Sequence, residues 1–179
     1  MKDLGPMHYF LGLEVWQTPG EIFLSQGKYV VKILERFGMV DCKPVTTPME
    51  LNFKKLCGSV VGPELGNAFE YRQLVGALMF LVNSHPDICF AVNTVSQYMF
   101  EPHHIHWIGA KNLLRYLWGT ITHGLRYTTG DVRLHGYSDV DWAGNVVDWK
   151  STSGCCSSLG SASISWMSWK QKLISLSTA

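Results

Sequence analysis

The chain has 179 residues, 46% of them hydrophobic and 16% charged, with a mean hydropathy of +0.05 and a formal net charge of +1. That length suits one good core or two small ones, and two compact units are expected. Near-neutrality excludes a global electrostatic pull toward nucleic acid, so any such binding must use local basic faces.

In chain order, His8 to Trp16 alternates, with Tyr9, Leu11, Leu13 and Val15 on one face, and EIFLSQ resumes extended character after TPG. Pro19-Gly20 has the chemistry of a type II turn, so residues 8–26 are expected to form a β-hairpin. Lys28 to Phe37 then shows Val30, Ile33, Leu34 and Phe37 at helical spacing, with Gly38 placed to end the helix. Residues 41–66 hold three prolines without sustained periodicity and are expected to be an irregular crossing.

Asn67 to Glu70 has capping-box spacing, with Leu74, Leu78 and Leu81 following on one face. Pro86 suits a first helical position, with Asp87 in the first turn and Ile88, Val92, Val95 and Met99 as an apolar stripe. A further helix is expected from near His104 to Gly119, where Trp107, Ala110, Leu114 and Leu117 share a face and Lys111 and Arg115 share another. From Gly124 the pattern becomes short strands, GLRYTT, RLHGYSD, SGCCSSLG and SISWMSW, so a helical unit gives way to a β unit near residues 119–130.

The five cysteines, Cys42, Cys57, Cys89, Cys155 and Cys156, lack the paired spacing of a zinc site and read as reduced, structural thiols. The start MKDLGPMHYF carries no basic stretch followed by an apolar run, and no apolar stretch is long enough to span a bilayer. An intracellular protein with no membrane partner is therefore expected. His103, His104 and His106 sit at a helix start with no second cluster to complete a metal site. Trp142, Trp166 and Trp169 read as core or newly exposed core residues rather than base-stacking platforms, and Ser151, Thr152 and Ser153 beside His135 lack a nucleophile elbow.

Taken together, MKDLGPMHYFLGLEV, EIFLSQGKYV, ILERFGM, CKPVTTPM, YRQLVGALMFL, HPDICFAV, GYSDVDWAG, KSTSG and ISWMSWKQ occur in the same order as in the Pol polyprotein of copia-type LTR retrotransposons, which the chain resembles from end to end. The resemblance implies an α+β fold. Residues 1–122 would be the C-terminal part of the reverse transcriptase, with a primer-grip-like hairpin at 8–26 and thumb-like helices over 28–119. Residues 123–179 would be the N-terminal part of an RNase H-like domain, a truncated antiparallel sheet.

It also implies the site residues. Asp139 would be a remnant catalytic carboxylate and, with Asp141 as a weaker second, a ligand for Mg2+. Phe10, Leu11, Gly12, Lys111 and Arg115 would touch nucleic acid, and the partner would be an RNA–DNA hybrid or a primer-template. Two-cation phosphodiester hydrolysis needs several acidic groups. The family's Y-x-D-D polymerase motif has no counterpart, because no Asp-Asp pair occurs, and where relatives continue LSTTEAEY this chain reads LSTA. The family's R-P-D is His85-Pro86-Asp87, its arginine before KSTSG is Trp149, and its acidic residue after W-A-G is Asn145. The expectation is a polymerase and hybrid ribonuclease by descent that is inactive alone and binds Mg2+ weakly. The alternatives are a non-catalytic nucleic-acid-binding or interaction protein, or an unstable retroelement relic.

Overall fold

The computed structural model describes residues 5–51, 53, 62–144 and 148–174. It contains helices and two antiparallel sheets, the α+β arrangement expected. The first sheet has the order β1 (Tyr9–Phe10), β2 (Leu13–Thr18), β3 (Glu21–Ser25) and β4 (Leu125–Thr128). Turn chemistry at Pro19-Gly20 is as expected: Gly20 has φ 89° and Thr18 pairs with Glu21.

The sheet departs from expectation in two places. The stretch 8–16 is not one strand, because a tight turn at Leu11 (φ 48°) and Gly12 (φ 82°) folds β1 back on β2, with Phe10 paired to Leu13. Positive φ at both central residues is the signature of the I′ hairpin turn. Alternation runs unbroken through the turn, so the two-residue period does not register it. Gly12 also lies against the Phe80 ring, where an added Cβ would come within 2.9 Å of Cζ.

The second departure concerns GLRYTT, grouped by sequence with the C-terminal strands. It forms β4 and pairs with β3, from Glu21 opposite Thr128 to Leu24 opposite Leu125. Gly124 allows this, because any side chain there would collide with the Leu24 carbonyl. Leu125 is buried, and its burial secures the pairing.

Helix α1 (Gly27–Arg36) ends as anticipated at Gly38, φ 62°. The Gly38 amide donates to the Glu35 carbonyl and the Met39 amide to that of Leu34, which is a Schellman closure. Helix α2 (Ala68–Leu81) is capped by Asn67, whose side chain accepts from the Glu70 amide at 3.1 Å. The helix anticipated from Pro86 through Met99 is a 3₁₀ turn (Pro86–Ile88) followed by α3 (Cys89–Ser96), which ends before Met99. Helix α4 (His104–Gly119) completes the unit. Its centre is Leu34, Tyr71, Leu74, Leu78, Ile88 and Leu114, all fully buried. The Tyr71 hydroxyl, inside that core, donates to the Val95 carbonyl at 2.6 Å. Of the irregular crossing at 41–66, residues 41–51, 53 and 62–66 are described; residues 52 and 54–61, with Cys57 among them, lie outside the described residues.

The second sheet is β5 (Leu134–Val140), β6 (Thr152–Leu159) and β7 (Ala162–Lys170), in that order, with a bulge near Ser157 and Ser158. It docks on the helical unit through Trp166, whose indole N–H donates to the Val82 carbonyl at 2.8 Å. It also meets the first sheet, where the Tyr127 hydroxyl donates to the Ser163 carbonyl at 2.7 Å. No helix among the described residues is long and apolar enough to cross a membrane.

Candidate functional site

Asp139 lies on β5, an edge strand exposed along its whole length. Directly paired residues of antiparallel strands point to the same face. Three rows therefore cross the sheet on the side toward the helices. Tyr137, Cys156 and Trp166 form one; Asp139, Gly154 and Ser168 form the next; Thr152 and Lys170 belong to the third. With Pro86, Cys89 and Phe90 opposite, all of these residues except Lys170 line a cleft of about 360 Å3, which Asp141 lines as well.

The carboxylates are held differently. Asp139 Oδ1 accepts its own neighbour's amide, that of Val140, at 2.9 Å. Asp141 accepts the Thr152 amide and donates its backbone N–H to the Thr152 carbonyl at 3.1 Å. Gly144 makes room for it, since a Cβ there would overlap the Asp141 carboxylate. Asp148 turns elsewhere, to the Lys170 ammonium at 2.8 Å and Lys150 at 4.0 Å. Its small burial raises its pKa, but the bond from Lys170 outweighs this and holds the carboxyl below its ordinary value.

Magnesium takes oxygen ligands in near-octahedral geometry and keeps several waters. Among the described residues there is no group of three or more His, Cys, Asp and Glu side chains able to hold a metal ion. Asp139 and Asp141 therefore do not by themselves make up a two-cation centre. The histidines form none either: His103 and His106 close the start of α4, His106 Nδ1 accepting the His103 amide at 2.9 Å. The described thiols Cys42, Cys89, Cys155 and Cys156 are unpaired, and burial pushes those of Cys42 and Cys89 up.

The remaining candidates lie apart from the cleft in sequence and structure. Phe10 and Leu11 are 51% and 74% exposed at the tip of the β1–β2 turn, with Gly12 beside Phe80. On α4, Lys111 rests its ammonium over the Trp107 ring, 5.0 Å from the centroid. Arg115 donates from Nε to the Lys43 carbonyl at 2.8 Å. Both cations are thus engaged with the protein. Sequence reasoning missed Cys89, Phe90, Tyr137, Gly154 and Trp166 as cleft residues. The register of β5, β6 and β7 would have revealed the last three, but the approach of α3 leaves no mark in the local pattern.

Residues 1–51 match the family described as reverse transcriptase (RNA-dependent DNA polymerase). The chain is 43% identical over 179 residues to an uncharacterised mitochondrial protein of Arabidopsis thaliana, covering 99% of this chain and 73% of that one. It is 44% identical to the retrovirus-related Pol polyprotein from transposon RE2 of the same plant, covering 96% of this chain and 12% of the polyprotein. The corresponding polyprotein from transposon TNT 1-94 of Nicotiana tabacum is 40% identical, with 99% and 14% covered. No solved structure matches. A reverse-transcriptase-related retroelement chain is what these likenesses define. The chain belongs to the copia-type retrotransposon Pol family, and it spans about an eighth of the length of the Pol polyproteins it matches.

Proposed function

We propose that this stretch of Pol joins the end of a reverse transcriptase to the first strands of an RNase H-like domain, and that it does not cleave hybrids by itself. The hairpin and α1 to α4 correspond in this reading to the primer grip and thumb, with β4 attached to them. Strands β5 to β7 correspond to the opening of the RNase H-like sheet, where Asp139 is the first magnesium carboxylate. The observation that carries the proposal is the cleft itself: Asp139 stands on an exposed edge strand with Asp141 as its companion and no third metal-binding group among the described residues. Magnesium, where bound in an intact relative, would activate water for phosphodiester hydrolysis. Here Asp139 and Asp141 would supply two of its ligands, and the rest of Pol the others.

The alternative of a non-catalytic nucleic-acid binder working through the α4 cations has less support, because Arg115 is tied to Lys43 and Lys111 to Trp107. The test is magnesium-dependent cleavage of a labelled RNA–DNA hybrid by the chain, with Asp139→Asn as control. No cleavage by either is expected. Cleavage that disappears in Asp139→Asn would overturn the proposal of an inactive piece.

A further inference from the structure

We propose that the cleft beside Asp139 is a binding site for an organic cation, a guanidinium group on an aliphatic stem, in the absence of any metal. Gly154 occupies the central strand between Asp139 on one side and Ser168 on the other. A Cβ built there meets nothing nearer than the Met167 carbonyl, at 3.9 Å, so the missing side chain leaves a trough across the sheet. Pro86, Cys89 and Phe90 roof it, and its volume of about 360 Å3 lies at the small end of ligand pockets.

Charge and ring placement then select the ligand. Asp139 and Asp141 line the cleft and give it a formal charge of about −2. The lysines closest in sequence and register, Lys150 and Lys170, both pair with Asp148, and neither is among the residues that line the cleft. Three aromatic rings, Phe90, Tyr137 and Trp166, share the lining, with Tyr137 70% and Phe90 45% exposed. Carboxylate plus aromatic faces is the combination that attracts cations of low hydration. A divalent metal needs a cage of oxygens that these residues do not supply. A guanidinium needs only a carboxylate for its fork and an aromatic face for its plane, whereas an ammonium, more strongly hydrated, gains less from the rings. This inference stands apart from the ribonuclease reading, since it concerns binding without metal or hybrid.

The experiment is calorimetric titration of the full chain, in chelator-treated buffer, with argininamide and with lysinamide. Saturable one-site binding of argininamide is expected, tighter than lysinamide. It should weaken about tenfold or more in Asp139→Asn, which removes the charge-assisted bond. It should be lost in Gly154→Val, which fills the trough. Asp139 is exposed, so its replacement leaves folding intact, and a thermal melt checks the Gly154 variant. Absence of saturable binding, equal affinity for the two amides, or unchanged affinity in Asp139→Asn would overturn the proposal. Failure of hybrid cleavage would leave it untouched.

Discussion

His106 offers a quantitative test of how the start of α4 is held. Its ring is 3% exposed and lies flat on Tyr98, centroids 3.9 Å apart and planes 13° from parallel. Because Nδ1 accepts the His103 amide, the neutral ring carries its proton on Nε2, which is buried with no hydrogen-bond partner among the described residues. A proton added to Nδ1 would break the cap and bury a charge. Burial first, and the nearby His103 second, push the pKa from 6.5 down to about 4. Between those values the unfolded chain binds a proton that the folded chain refuses, so protons favour unfolding. The stability is fully present above about pH 6.5 and is lost as the pH falls toward 4. At about 1.4 kcal/mol per tenfold change in proton affinity, the whole interval is worth up to about 3 kcal/mol.

Urea unfolding followed by circular dichroism at pH 7 and pH 4.5 should therefore show a loss of about 2–3 kcal/mol on acidification. In His106→Phe, which keeps a ring on Tyr98 but no acceptor, the loss of the cap should cost about 1 kcal/mol at pH 7. The dependence between pH 6.5 and 4 should then flatten. Asp87 acts in a lower window. Burial raises Asp87, but bonds from His85 and the Tyr116 hydroxyl, 2.7 Å away, outweigh it and leave its pKa below the ordinary 3.8. Its contribution disappears only as the pH drops below that value. An unchanged slope in His106→Phe would refute the reasoning.

Two further predictions concern packing and strain, alongside the cleavage and cation-binding tests above. Gly109→Ala should lower stability by about 1–3 kcal/mol in thermal melts, because the new methyl would overlap the buried Phe53 ring; an unchanged melting temperature would mean that the Phe53 ring does not pack against Gly109. Leu11→Asn should raise stability by about 0.5–1 kcal/mol, since φ 48° is costly for leucine and tolerated by asparagine. A neutral or negative effect in the same melts would mean that Leu11 makes up its strain elsewhere.

Local signals carried much of the architecture. The helix over Ala68–Leu81 was legible because its cap and apolar face lie within a few residues of each other, and Asn67 meets Glu70 as the spacing required. Gly38 and Gly20 were readable for the same reason: a positive φ is a property of one residue and its neighbours. Motif order likewise revealed the family, since many short blocks in one sequence are a record of descent that needs no coordinates.

What depended on contacts between distant segments was decided only by the tertiary structure. The pattern of GLRYTT states that a strand exists, but its partner was settled by the free edge of β3 and the close approach that Gly124 permits. The cleft is a product of the same kind. Asp139, Gly154 and Trp166 stand on three successive strands, and they meet Cys89 and Phe90, which come far earlier in the chain, through strand register and the Trp166 bond to Val82. Periodicity reports which face of an element is apolar; it holds no information about which other element covers that face, because burial energy is non-directional and the choice falls to shape and register across the whole fold.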